Sequence, residues 1–267
     1  MDRDRIKARI DLEWDDDEVL PEVVNPDVEF LFNRMTEATL ETVAARDGEM
    51  ILDIGCGRAG DGVELAKRGA TVVGIEASRV MLAHAREHVN GNGAHVTLVH
   101  GVGECLPVRH QSVDKVLCKG ALDHFAEPEV VIGQIARALK PEGQAIIALA
   151  NFESLGFKLG RRVYSLKLAL GFKDGKTRMP WEPPPDHTCK FDYFLLRRMV
   201  DAHLEVEEEV GVSFLFGFPW WGVFLARCPR KVYSTLLGML DKVARRFPSL
   251  SDVVILRCRP RNGECVD

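Results

Sequence analysis

The stretch Ile51-Leu52-Asp53-Ile54-Gly55-Cys56-Gly57-Arg58-Ala59-Gly60, followed by Thr71-Val72-Val73-Gly74-Ile75-Glu76, constrains the fold of this chain more than any other. An apolar run stops at an acid and a glycine-rich turn, a helical segment follows, and a second apolar run ends in another acid. Strand, turn, helix and strand in that order begin a parallel, doubly wound sheet. Gly55 and Gly57 let a ligand approach the backbone more closely than a Cβ would permit. Glu76, at the carboxyl end of the second strand, can accept hydrogen bonds from both hydroxyls of a ribose. The pattern predicts a nucleoside site.

The same glycines also spell the G-x-G-x-x-G of dinucleotide-binding folds. Asp53 argues against a dinucleotide, because a bound pyrophosphate needs helix amides and no nearby negative charge. An acid two residues before the first glycine better suits a ligand bearing an ammonium and a sulfonium. The string Asp53-Ile54-Gly55-Cys56-Gly57 resembles the first motif of class I S-adenosylmethionine-dependent methyltransferases.

Periodicity extends the alternation. Strands are predicted at Met50 to Ile54, Thr71 to Ile75, His95 to Val99, Ser112 to Cys118 and Gln144 to Ala150. Helices fall between them at about Gly62 to Arg68, Arg79 to Val89 and Glu127 to Leu139, with Pro141-Glu142-Gly143 breaking the last. Upstream, a helical pattern starts after Asn25-Pro26-Asp27 and stops at Asp47-Gly48. Downstream, Asp192 caps a helix running to His203, and Leu204 resumes strand alternation. A further amphipathic helix after Pro229 carries Val232, Leu236, Met239, Leu240 and Val243 on one stripe, and Val253 to Leu256 reads as a last strand.

The resemblance continues beyond the first motif. Gly101-Val102-Gly103-Glu104-Cys105-Leu106-Pro107 is similar to the family's loop after the third strand, where the base of the cofactor is held. Ala121-Leu122-Asp123-His124-Phe125 resembles the segment lying over the methyl group, and Ala138-Leu139-Lys140-Pro141-Glu142-Gly143 the turn before the fifth strand. The resemblance implies a Rossmann-like, mostly parallel seven-stranded sheet with the last strand antiparallel. One methyltransferase domain would span residues 1–267: an arm and helix (1–47), a cofactor-binding core (48–151), a basic cap insertion (152–190) and a C-terminal half (191–267) with an aromatic, helical insertion (216–250). It implies S-adenosylmethionine as cofactor, held by Asp53, Gly55, Cys56, Gly57, Gly60, Glu76, Ala77, Gly103, Glu104 and Cys118.

Two residues depart from the family pattern. Val102 stands where an acid often receives the adenine amino group, and Lys119 follows the fourth strand near the expected sulfonium, where an unpaired cation would be unfavourable. These keep open a non-catalytic binding or scaffold protein of the same fold, and the glycine pattern alone keeps open an NAD-dependent oxidoreductase. His124 and His187 are the candidate catalytic bases, since imidazole can take a proton near neutral pH.

A formal charge of −5 over 267 residues argues against nucleic acid as partner, and a small organic methyl acceptor is expected instead. Residues 152–190 nonetheless carry eight basic side chains against four acids, and 214–224 is strongly aromatic. Together they suggest an amphiphilic acceptor with an anionic group. The aromatic run, with Gly217, Pro219 and Gly222 inside it, reads as a folded cap or pocket wall rather than a membrane contact. The acidic run from 11 to 22 reads as a solvated arm, or alternatively as a flap anchored by Trp14. Seven scattered cysteines without C-x-x-C or zinc spacing suggest reduced thiols, a cytoplasmic location and no metal.

Overall fold

Ile51, Leu52 and Ile54 are all fully buried, so the strand that carries them has apolar neighbours on both faces and lies in the middle of a sheet. The computed structural model describes residues 11–16, 24–171 and 179–261. In it β1 (Met50–Ile54) pairs in parallel with β2 (Thr71–Glu76) on one side and β4 (Val113–Lys119) on the other. With β3 (Val96–His100), β5 (Leu139–Ala150), β6 (Leu204–Val212) and β7 (Val253–Pro260), the order is β3-β2-β1-β4-β5-β7-β6. β7 is antiparallel to both of its neighbours, as expected for the last strand. The order reverses between β1 and β4, which opens a crevice at the carboxyl ends of these strands.

Alternate residues of the strands feed two cores. Leu52, Val116 and Ile147 pack with Val131 and Ile135 of α4 (Pro128–Ala138) and Leu196 and Val200 of α6 (Tyr193–His203). Ile51, Leu117 and Ile146 face Leu40 and Val43 of α1 (Pro26–Val43), together with Leu65 of α2 (Gly60–Lys67). Each such side chain contributes roughly 1.5–3 kcal/mol when fully buried. α3 (Arg79–Asn92) begins where the Ser78 hydroxyl accepts a bond from Met81 N at 3.2 Å and ends at Gly93, whose φ is +60°. The predicted cap at Asp192 is present, its carboxylate accepting from Leu195 N at 2.8 Å.

Some boundaries move. β5 starts at Leu139 rather than Gln144, and an irregularity in its pairing with β4 between Val113 and Lys115 absorbs the Pro-Glu-Gly turn. Lys115, a cation on a central strand, is buried, with its Nζ at 2.8 and 2.9 Å from the Val43 and Ala44 carbonyls and 2.9 Å from Glu49. It thereby satisfies carbonyls at the C-terminus of α1 that would otherwise lack partners.

The C-terminal half adds α5 (Leu155–Ala169), α7 (Trp221–Ala226) and α8 (Arg230–Ala244). α8 carries the apolar stripe read from the sequence. Its apolar stripe is not the docking face; the helix is attached by Leu237, Asp241 and Ala244. Asp241 fixes that rotation, since its carboxylate accepts from Arg34 Nε at 2.9 Å and from Ser213 N at 3.1 Å. Gly211 of β6 completes the seat, because a Cβ there would lie 2.2 Å from the Ala244 carbonyl oxygen. Gly211→Ala is therefore expected to cost about 2–3 kcal/mol by overpacking and to lower Tm by roughly 5–10 °C in a thermal melt.

Candidate functional site

The loop after β1 is built for close approach. Gly55 N and Cys56 N both donate to the Ile75 carbonyl, at 2.8 and 3.1 Å, folding the loop over the end of β2. Gly55 has φ +67° and a Cβ there would meet the Ala121 Cβ at 2.4 Å, so no other residue fits. Glu76 is held at its strand end by Gly57 N at 2.9 Å on one oxygen and Ser78 N at 2.8 Å on the other. Each oxygen keeps a lone pair for a hydroxyl.

These residues bound a cavity of about 760 Å³ in the crevice between β1 and β4. Asp53, Gly55, Cys56, Gly57, Gly60, Glu76, Ala77 and Gly103 line it. Two residues predicted for the cofactor do not. Cys118 is fully buried in the core, where burial raises its thiol pKa far above the usual range. Glu104 turns towards the start of α4, accepting from Ala126 N at 2.9 Å and Glu127 N at 3.3 Å. An anion is favoured at that helix terminus, which accounts for its orientation.

Asp53 is 3% exposed, and burial pushes its carboxyl up to about 8, with nearby Asp61 adding to the shift and Lys119 opposing it. Lys119 does not stand unpaired beside the cavity: its Nζ lies 2.6 Å from Asp61 and donates to Thr36 Oγ1 at 3.0 Å. The cavity wall is thus rich in carboxylates. A ligand with a ribose and a cationic amino-acid arm fits this donor set, since Glu76 can accept from hydroxyls and a cation would relieve Asp53.

Asp252, buried behind β7 with Phe216 N donating to it at 3.0 Å, is also raised, to about 7, chiefly by burial. Both folded-state values lie above the ordinary carboxylate value. The native state therefore binds more protons than the unfolded chain, and these groups lower stability as pH rises from about 4 to 8. Asp252→Asn should flatten the fall in Tm between pH 5 and 8.5; an unchanged slope would show that Asp252 ionises normally.

The facing wall holds the two histidines. His187 Nδ1 lies 3.1 Å from Asp123 Oδ2, and His124 Nδ1 lies 3.4 Å from Asp186 Oδ2. Each histidine thus faces the acid adjacent to the other one in sequence. The rings meet edge to face at 4.7 Å. Thr188 joins the two segments, its N–H and hydroxyl donating to the Asp123 carbonyl at 2.8 and 2.9 Å. Neither acid was singled out from sequence for this role, although the two Asp-His dipeptides were visible. Asp123, His124 and His187 also bring three metal-ligand-type atoms within 4.8 Å of one another.

The arm lies across both walls. Trp14 Nε1 donates to Asp186 Oδ2 at 2.8 Å and its ring stands 5.1 Å from that of His124. On the other side Ser78 Oγ donates to the Trp14 carbonyl at 2.6 Å, Arg79 N to the Leu12 carbonyl at 2.8 Å, and Arg58 pairs with Asp16. The flap alternative describes residues 11–16 better than the solvated arm; residues 17–22 of that run lie outside the described residues. Among the described residues of 152–190 no Lys or Arg lines the cavity. Lys173, Lys176 and Arg178 of that cap lie outside the described residues.

Strand order, switch-point crevice and glycine loop define the class I S-adenosylmethionine-dependent methyltransferase fold. Residues 51–143 match the model of the methyltransferase domain family. It is 32% identical over 124 residues to a ubiquinone biosynthesis O-methyltransferase of Klebsiella pneumoniae, covering 45% of this chain and 51% of the relative. The chain thus matches about half the length of that curated relative. A SAM-dependent methyltransferase from Aquifex aeolicus superposes with TM-score 0.55 at 16% identity, covering 98% of this chain and all of the other. A structure from Thermotoga maritima, described as a possible histamine N-methyltransferase, gives TM-score 0.56 at 19% identity over 86% of this chain and 91% of its own. No helix among the described residues is long and apolar enough to cross a membrane.

Proposed function

We propose that this protein transfers the methyl group of S-adenosylmethionine to a hydroxyl of a small amphiphilic acceptor. The observation that carries this reading is the single cavity with carboxylates Asp53 and Glu76 on one wall and the Asp-faced histidines on the other. Bound S-adenosylmethionine supplies an already activated methyl on a sulfonium. Glu76 would orient it by accepting from the ribose hydroxyls, and Asp53 would face its cationic portion. The missing side chains at Gly55 and Gly57 would let the ligand lie directly against the loop backbone.

An oxygen nucleophile must lose its proton as it attacks in line with the departing sulfur, and His187 would take it. Asp123 then stabilises the imidazolium, as a buried acid beside a histidine does in hydrolytic triads. Oxygen as the acceptor atom is supported by the O-methyltransferase among the relatives. Trp14, Ala121 and Phe125 line the cavity together with the histidines, which suits an apolar body on the acceptor.

Isothermal titration with S-adenosylmethionine and S-adenosylhomocysteine tests the cofactor half, and release of S-adenosylhomocysteine across a panel of alkyl-substituted phenols and alcohols tests the acceptor half. Binding without turnover on any member would favour a scaffold of this fold. A response of nicotinamide fluorescence in place of binding would favour an oxidoreductase. The three clustered ligand-type atoms offer a metal-assisted alternative, and turnover unaffected by a chelator would exclude it.

A further inference from the structure

Helix α8 has two apolar faces. Leu237 and Ala244 point into the protein, whereas Val232, Leu236, Met239 and Val243, spaced by four, three and four residues, form the opposite face. Val232, Met239 and Val243 are 54%, 59% and 46% exposed. Three residues separate α7 from α8, and on α7 and its N-cap Phe224 and Trp220 are 53% and 66% exposed, with Trp220 at a left-handed φ of +62°. Of the thirteen large hydrophobic residues exposed among those described, seven fall between residues 220 and 247. Packing does not account for the outward stripe, because Asp241 and Gly211 already hold the helix by its other side.

The charge on this segment is equally one-sided. Residues 214–250 contain six cations and one acid in a chain of net charge −5. The acid is Asp241, which is buried and lies 2.9 Å from Arg34 and 3.6 Å from Arg245. Arg227, Arg230, Lys231, Lys242 and Arg246 are all exposed. On α8, Lys231 and Lys242 follow helical spacing along one flank of the outward stripe, and Arg246 follows in the turn after the helix.

We propose that the outward face of α7 and α8 is a peripheral docking surface for a membrane with anionic headgroups. Trp and Phe settle at the level of the headgroups, aliphatic side chains enter the acyl boundary, and flanking cations pair with lipid phosphates. Charge favours this occupant over a second copy of the chain, because a two-fold pairing through this face would set its own cations against each other. The surface connects to the cavity through ring contacts. His187 meets Phe152 at 5.7 Å, Phe152 meets Phe157 at 6.0 Å, and Phe157 meets Phe216 at 6.0 Å, in the turn just ahead of Trp220.

Vesicle sedimentation of the full chain tests the proposal independently of any methyl transfer. Phosphatidylcholine vesicles are compared with vesicles containing one-third phosphatidylglycerol. Wild-type protein is expected to bind the anionic vesicles and to release as salt rises. Trp220→Ser with Phe224→Ser, and separately Lys231→Glu with Lys242→Glu and Arg246→Glu, should each weaken partitioning by about tenfold or more. These side chains are exposed, so thermal melts of both variants should match wild type and rule out misfolding as the cause. No binding to anionic vesicles, or equal binding by both variants, would overturn the proposal. So would a concentration-dependent dimer that the first variant dissociates, if vesicles are not bound.

Discussion

Glu76→Gln is expected to raise the Kd for S-adenosylhomocysteine about 100-fold, equivalent to roughly 2.7 kcal/mol. The carboxylate already receives Gly57 N and Ser78 N on its two oxygens, so both are fixed before a ligand arrives. An amide in its place must turn an NH2 towards one of those backbone donors, losing one hydrogen bond and one ribose acceptor together. Two lost bonds, one of them to a charged group, account for the expected size. Titration calorimetry checks it, with a thermal melt to establish that the loop is intact. An unchanged Kd would remove Glu76 from the ribose site and with it the central assignment of the cavity.

His187→Ala is expected to lower kcat by 100-fold or more on any hydroxylated acceptor that supports turnover, with the Kd for S-adenosylhomocysteine within twofold of wild type. The split between the two measurements matters more than either alone. His187 stands on the wall away from Glu76, so losing it should remove proton transfer and spare the cofactor. Asp123→Asn should lower kcat in the same direction, because the amide cannot stabilise an imidazolium as the carboxylate does 3.1 Å from His187 Nδ1. If both variants keep full kcat, the acceptor needs no base from this wall. A carbon or an already deprotonated oxygen would then become the better reading of the acceptor atom.

The cavity wall that carries Asp53 and Glu76 was legible in the sequence because its geometry is local. Asp53, the glycines and Glu76 sit at the ends of adjacent strands, and strand periodicity alone brings them together. The acceptor half was only partly legible. His124 and His187 stood out as candidates, but their acids could not be paired, because contacts between residues 123 and 187 depend on how a distant cap folds back. Glu104 misled for a related reason: an acid in a loop can serve a ligand or a helix terminus equally well, and only packing chooses. The stripe on α8 was read correctly as a pattern, yet the rotation of the helix was set by Asp241, a polar residue that hydrophobic periodicity ignores. Lys119 read as an unpaired cation because its partners, Asp61 and Thr36, come from elements distant in sequence.

The short arm of residues 11–16 has a consequence for timing. One segment is fastened to Ser78, Arg79 and Arg58 beside Glu76, and through Trp14 to Asp186 beside His124. A molecule in either half of the cavity therefore shares its gatekeeper with the molecule in the other half. With cofactor and acceptor bound as proposed, loosening the arm to release one would expose both, and the residence time of one would depend on the other.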